Sequence, residues 1–236
     1  MNIVRIETWH QRILCQQSYY TERMQALLKD IDSVIANPIK VLKDDPTSTV
    51  VLVEVDGKKL VIKRANTKDW MHVIRRFFSP SRAMKNWRYA HKLLNIGVNT
   101  FTPVALKEER FGFLKGRSYL ICTYIEGINA RHYFTTDSLR TLHSRSIAQN
   151  IANMIDNLAR HWLSHRDLNL SNILLVENEP WLIDLDSMRQ HYWKFLAKRG
   201  AKRERARFME NWSETPHVSP DTVTLFQGIF ANTPKA

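Results

Sequence analysis

The sequence predicts an α+β fold in two lobes, a small β-rich N-terminal lobe and a reduced helical C-terminal lobe. Three observations predict it. Residues 50–55 and 59–63 are β-rich runs around Asp56-Gly57, a dipeptide that supplies the left-handed residues of a tight hairpin turn. Residues 137–163 repeat apolar side chains at helical spacing, with Ile147, Ile151, Met154, Ile155, Leu158 and Trp162 on one face. The chain then turns polar at His165-Arg166-Asp167 before a second hairpin.

The remaining elements follow in order. Residues 21–36 read as one helix, with Met24, Leu27, Leu28, Ile31, Val34 and Ile35 on a stripe. Ser81 follows Pro80 and caps a helix over 82–95, whose Ala83, Trp87, Ala90 and Leu94 share a face and whose end is marked by Gly97. Residues 119–123 read as a buried strand. The helix at 137–163 has a break expected near 143–146. Residues 173–176 and 181–185 form the second hairpin around Glu177-Asn178-Glu179, and a basic helix follows. The lobes are expected to divide as 1–123, an N-terminal extension with a nucleotide-binding lobe, and 124–236, a catalytic lobe ending in a basic segment.

Composition removes several function classes. The 236 residues include only seven glycines, about 3%, against ~7% in average usage. No G-x-G-x-x-G, G-x-x-x-x-G-K-[ST] or G-x-S-x-G pattern runs through them, so the dinucleotide fingerprint, the Walker A loop and the nucleophile elbow are absent. Two cysteines, Cys15 and Cys122, are too few for a zinc ribbon or a disulfide framework. His161 and His165 stand four apart without the Glu of H-E-x-x-H, so no zinc site is expected. No apolar run approaches the ~18 residues of a membrane span, and the first residues carry charges a secretory signal would not. A soluble, intracellular chain is expected.

The net charge of +12 is concentrated in two places. Residues 58–92 hold eleven Lys/Arg against Asp69, and residues 189–210 hold eight against Glu204 and Glu210. Such segregation speaks of an anionic partner, either nucleic acid, membrane or phosphorylated substrate. The plainer reading is two solvated faces.

The chemistry concentrates in the second half. In His165-Arg166-Asp167-Leu168-Asn169-Leu170-Ser171-Asn172, Asp167 precedes Asn172 by five residues within a single loop. This resembles the catalytic loop of kinases, in which the Asp accepts a hydroxyl proton and the Asn holds Mg²⁺. Lys63 ends a hairpin strand, where a kinase places the Lys that meets ATP phosphates. Asp184 sits in Ile183-Asp184-Leu185-Asp186, where a kinase supplies a second metal ligand, and Asp186 stands in place of the following Gly. Each has a plain alternative. Lys63 suits an edge strand, Asp167 an Asx turn, Asp184 a strand-end ion pair, and His165 a structural place. Three matches in order, each in its expected context, outweigh those alternatives.

With Ser81-Arg82-Ala83-x-x-x-Trp87, Leu93-Leu94-Asn95-Ile96-Gly97-Val98, Thr102-Pro103-Val104-Ala105 and Tyr124-Ile125-Glu126-Gly127, residues 50–212 resemble the lipopolysaccharide kinases, which phosphorylate Kdo or heptose of the inner core. The resemblance implies a two-lobed protein-kinase-like fold with a hinge near residues 123–127, and use of ATP and Mg²⁺. It implies Asp167 as the base, Asn172 and Asp184 as metal ligands with Asp186 assisting, Lys63 on the α/β-phosphates, and Glu126 among the nucleotide-binding residues. Two features depart from protein kinases. Asn169 replaces the Lys of H-R-D-L-K, and the 52 residues after Asp184 contain no A-P-E. A small or lipid-linked acceptor is therefore expected rather than a protein.

Two features depart from kinases in general. The segment 44–49 lacks glycine, so backbone amides with the Thr47, Ser48 and Thr49 hydroxyls are expected to cover the phosphates. Residues 70–107 contain no Asp or Glu, so the helix at 82–95 offers no carboxylate to Lys63, which is expected to meet Asp184 or phosphate directly. The expected partners are the core glycolipid and, through the basic segments with Trp193, Phe195, Phe208 and Trp212, the anionic cytoplasmic face of the inner membrane. No nucleic acid is expected, because no RNA-binding signature is present. The competing readings are a kinase of a soluble small molecule, resembling aminoglycoside or choline phosphotransferases, and a non-catalytic kinase-like or RNA-binding protein.

Overall fold

The computed structural model describes residues 2–66, 80–112, 114–135, 142–213 and 220–232. They fall into two compact units, Met1–His91 with Phe101–Tyr124, and Lys92–Thr100 with Ile125–Ala236.

The first unit is built on a seven-stranded antiparallel sheet. Its strands are β1 (Ile3–Glu7), β2 (Gln11–Gln16), β3 (Lys40–Asp45), β4 (Ser48–Val55), β5 (Lys58–Ala65), β6 (Pro103–Phe111) and β7 (Leu114–Thr123). Their order is β1-β2-β6-β7-β5-β4-β3. Asp56 and Gly57, at φ 52° and 72°, make the predicted turn between β4 and β5, with Val55 opposite Lys58. The helix expected at 21–36 is two helices, α1 (Glu22–Lys29) and α2 (Ile31–Ala36). Asp30 breaks the run at φ −129°, ψ 63°, and its carboxylate accepts the Ser33 amide to begin α2. The helices keep their apolar stripe despite the break. Met24, Leu27, Leu28, Ile31 and Ile35 are buried with Val51, Val53, Leu60, Ile62, Val104 and Ile121 in one core. Lys107 is buried beneath α1 and donates to the carbonyl of Leu28 at 2.6 Å, supplying a cation to that helix's C-terminal end.

Helix α3 (Arg82–Asn95) has the predicted bounds. Ser81 accepts the Met84 amide at 3.0 Å, and Gly97, at φ 73°, closes the far end while Val98 donates to Leu93 at 2.9 Å. The predicted stripe drifts at its last turn, where Leu93 is buried and Leu94 is exposed.

The second unit is built around α5 (Leu142–Arg160), with Ile147, Ile151, Met154, Ile155 and Leu158 buried as expected. The expected start of that helix at 137 lies outside the described residues, while the break expected near 143–146 is absent, since α5 runs through those residues uninterrupted; the helix ends at Arg160, short of 163, and leaves Trp162 exposed at φ 58°. Helices α4 (Ala130–Thr135), α6 (Lys194–Ser213) and α7 (Pro220–Asn232) complete its core, in which Phe134, Phe208 and Phe226 are fully buried and stack edge to face or tilted. Two small sheets carry the loops: β8 (Ile128–Asn129), β10 (Ile173–Val176) and β11 (Glu179–Leu182) form one, and β9 (Leu163–Ser164) with β12 (Arg189–Gln190) the other. The second hairpin turns at Glu177 and Asn178, both left-handed, and its return strand ends at Leu182, before the 185 expected.

Candidate active site

Two arches build the site in the second unit. The first, residues 165–172, leaves β9 and enters β10. The second, residues 183–188, leaves β11 and enters β12. Strand pairing ties both ends, since Ser164 faces Arg189 and Ile173 faces Leu182. The Ile183 amide donates to the Asn172 carbonyl at 2.9 Å, so the arches are bonded where Asn172 meets the residue before Asp184. Short strands at fixed register thus bring Asp167, Asn172, Asp184 and Asp186 into one region from two stretches of chain.

Within the first arch, Asp167 is solvent-exposed and its backbone carbonyl accepts the Asn172 Nδ2 at 2.9 Å. That bond turns the Asn172 carboxamide so that its Oδ1 remains for another partner. Asn169 accepts the Ser171 amide at 2.9 Å and closes a turn of its own. In the second arch Asp184 lies in the left-handed region, at φ 59°, ψ 70°, a conformation costly for a non-glycine residue and concentrated at functional sites. Asp186 follows in the single turn Leu185–Ser187.

His165 is fully buried between these carboxylates. Burial lowers its pKa, while Asp184, Asp167 and the nearby backbone of Ile183 and Asp184 oppose the shift less strongly, so the ring stays neutral. Neither ring nitrogen is hydrogen-bonded to a described residue.

A residue that the sequence reading set aside as one of two acids in a basic run holds the first arch. Glu204 of α6 is buried, and both its oxygens accept the Arg166 amide at 3.1 Å. Burial raises its pKa, with the Arg166 and His165 backbone bonds acting against the rise. Arg207 donates to the Arg166 carbonyl from the same helix, and Arg205 pairs with Asp156. Arg166 itself sits at φ 67°. The only sequence signal for this grip was an isolated Glu amid arginines, which sequence spacing could not connect to a loop 38 residues earlier.

The expected nucleotide-side residues lie in the first unit. Lys63 is on β5, opposite Val50 and Leu120 and half-buried. Its cation acts on Cys122, whose thiol burial raises to about 12. The glycine-free segment is a two-residue turn, Pro46-Thr47, between β3 and β4. Asp45 organises it by accepting the amides of Thr47 and Ser48 at 2.7 and 2.8 Å and the Thr47 hydroxyl at 2.5 Å. The Thr47 hydroxyl and Lys43 hold the Asp45 carboxyl below the usual carboxylate range, with the amides adding to the effect. Asn66 and Arg82 both donate to the Thr47 carbonyl, at 3.0 and 3.2 Å. Thr49 donates to Asp44 at 2.9 Å and accepts Arg64 at 3.1 Å, and Ser48 and Thr49 are buried. Of the groups expected to cover phosphate, the Thr47 and Thr49 hydroxyls and the Thr47 and Ser48 amides are therefore engaged by Asp45 and Asp44. Glu126 belongs to the second unit, exposed in the segment between β7 and β8. The next residue, Gly127, packs so closely on β10 that a Cβ would lie 2.8 Å from the Leu175 carbonyl oxygen.

The donors suit a hard divalent cation. Asp184, Asp186 and Asn172 offer oxygen donors, the ligand type Mg²⁺ takes, with water and phosphate completing its shell. No group of three or more His, Cys, Asp or Glu side chains that could hold a metal ion by themselves occurs among the described residues.

Sheet-rich and helical units, with an H-x-D loop and an Asp-bearing arch clamped side by side, define a protein-kinase-like fold. A solved structure described as "WaaP in complex with acyl carrier protein" superposes with TM-score 0.62 over 94% of this chain and 90% of that one, at 18% identity. Residues 45–213 match the model of the lipopolysaccharide kinase (Kdo/WaaP) family, and the chain belongs to that family. The 3-deoxy-D-manno-octulosonic acid kinases of Xylella fastidiosa strains 9a5c and M23 are each 29% identical over 107 residues, 45% of this chain. The matched segment spans 41% of each of those relatives.

Proposed function

We propose that this chain transfers the γ-phosphoryl group of ATP to a sugar hydroxyl, of Kdo or heptose, in the lipopolysaccharide inner core. The observation that carries the reading is the pair of tied arches holding Asp167, Asn172 and Asp184 in a chain of the Kdo/WaaP family. Asp167 accepts or orients the acceptor hydroxyl proton, from an exposed position that a sugar can reach. Asn172 and Asp184 hold Mg²⁺ and Asp186 assists; bound there, the cation neutralises charge on the phosphate oxygens. Lys63 meets the α/β-phosphates, and Glu126 lies with the nucleotide-binding residues. The turn at Thr47, Ser48 and Thr49 covers the nucleotide as a shaped, prestapled flap, since its donors are already engaged. Catalysis is then positioning and charge neutralisation.

The acceptor is lipid-linked, and the chain reaches it as a peripheral protein on the cytoplasmic face of the inner membrane. No helix among the described residues is long and apolar enough to cross a membrane. Tyr192, Trp193 and Phe195 are 81%, 65% and 67% exposed at the start of α6, beside the exposed cations Lys194, Lys198, Arg199, Lys202 and Arg203. Aromatic rings favour the interface and cations the anionic headgroups. The WaaP neighbour was solved with acyl carrier protein, so a protein partner on this surface is the competing outcome.

The test is phosphate transfer from labelled ATP to purified core glycolipid, beside aminoglycoside and choline acceptors. Label on the glycolipid, lost in Asp167→Ala, is expected. Label on a soluble acceptor alone overturns the reading.

A further inference from the structure

We infer that a cavity of about 260 Å³ in the second unit, separate from the two arches, binds a single sugar ring through its hydroxyls. Asn150, Asn153, Asn157 and Arg160 line it from successive turns of α5, with Asn99 and Glu179 opposite. Neither Asp167, Asn172 nor Asp184 lines it.

The side chains argue for the ligand class. Asparagine is a poor residue for a helix interior, yet α5 places three on the face that lines this cavity. Internal bonds use only part of them. Asn150 donates to Glu179 Oε1 at 3.0 Å, Asn157 donates to the Ile96 carbonyl at 3.0 Å, and Asn153 accepts from Gln149 at 3.0 Å. Oxygens of Asn150 and Asn157 and the amide of Asn153 remain, so acceptors and donors alternate along the wall. A hydroxyl both donates and accepts, which is what such a wall matches. A phosphate fits poorly, because Arg160 is the sole cation among the described residues that line the cavity and Glu179 faces it. An apolar ligand would leave the carboxamides unpaired, at a desolvation cost. The volume falls below the ~300 Å³ at which drug-sized sites begin, so the occupant is one ring. Met154 and Pro180 offer apolar surface to its C–H face.

The wall is also joined to the catalytic strand. The Asn99 carbonyl accepts the Leu182 amide at 2.9 Å, and Thr100 donates to the Leu182 carbonyl at 2.6 Å, two residues before Asp184. A seated sugar therefore leans on the segment that carries the second arch.

The site is independent of the phosphotransfer reading, and its test runs in the Asp167→Ala protein. Amide and side-chain NMR shifts are followed during titration with D-mannose, with 3-deoxy-D-manno-octulosonate, and with inorganic phosphate. Saturable shifts at residues 97–99, 150–160 and 179 with either sugar are expected. Asn153→Ala and Arg160→Gln, both on exposed positions, should weaken binding roughly tenfold each, the scale of one or two lost hydrogen bonds. Binding of the acid alone identifies a sugar acid as the source, and binding of both a neutral ring. No saturable shift with either sugar, equal binding by the Asn153→Ala protein, or a response to phosphate in place of sugar overturns the site.

Discussion

Asp167 and Asp45 are surface carboxylates with opposite assignments. Asp167 keeps its side chain toward solvent while its backbone carbonyl steadies Asn172. Replacing it with alanine should lower turnover ~10²- to 10⁴-fold, the contribution of a positioned acid–base group. Its thermal unfolding should match the parent, because an exposed side chain supports little packing; retained turnover would remove Asp167 from the role. Asp45 spends its carboxylate on its own turn, on the amides of Thr47 and Ser48. Those bonds hold a turn that has no glycine. Asp45→Ala should raise KM for ATP severalfold with a smaller change in kcat, as measured by steady-state kinetics. An unchanged KM would mean that the turn does not shape the nucleotide site.

At the scale of elements, glycine is rare, and three of the few have identifiable work. Gly57 supplies φ 72° in the β4–β5 turn, so Gly57→Ala should cost ~1–2 kcal/mol in urea denaturation, the left-handed penalty for a residue with a Cβ. Gly127 is needed for a different reason, close approach to β10. Gly127→Ala should cost ~1–3 kcal/mol by overpacking. Gly97 is the left-handed stop of α3. Helix α6 shows how one element carries two tasks. It grips the first arch through the buried Glu204 and the exposed Arg207, while Tyr192, Trp193 and Phe195 stay exposed at its start. Because burial raises the Glu204 pKa, its protonated form fits the folded state better than the charged form does. Its contribution is therefore full below the unfolded Glu value of ~4.3 and is lost as pH rises through the folded pKa. Glu204→Gln should match the parent's stability near pH 4 and exceed it progressively as pH rises. Parallel pH profiles in urea denaturation would show that Glu204 is not linked in this way.

Across the whole molecule, positive charge and exposed aromatics lie close together at the start of α6, and some of the expected surface residues are instead buried or bonded to the chain itself. Phe208 is fully buried, Arg205 pairs with Asp156, and Arg207 reaches the Arg166 carbonyl. The side chain of Trp212 lies outside the described residues. Liposome co-sedimentation should show binding to anionic but not zwitterionic vesicles, weakening as added salt shortens the Debye length below ~10 Å. Trp193→Ala with Phe195→Ala should reduce it further. Binding blind to lipid charge, or none, would favour a protein partner or a soluble acceptor.

Local chemistry made much of this protein legible in its residues. The Asp56-Gly57 turn, the α3 cap at Ser81 and its stop at Gly97, the apolar face of α5 and the H-x-D loop each depend on neighbours within a few positions, where period and turn chemistry act. Long-range pairing was not legible. Asp30 ended a helix whose apolar stripe continued through it, because a local capping bond competed with the period. Strands β1, β2, β3 and β6 and the first half of β7 were not anticipated, because a strand's place is set by its partner in the sheet. β2 and β6 meet across roughly ninety residues, with Cys15 opposite Ala105. The grip of Glu204 on the Arg166 amide is likewise a contact across 38 residues, whereas Thr47 and Thr49 bond Asp45 and Asp44 close by in a turn whose residue types carry no glycine signal. The sequence by itself determined which residues could do chemistry and in what order. Only the tertiary structure decided which carboxylates face solvent and which are consumed as scaffold, because burial and hydrogen-bond partners are properties of the packed chain.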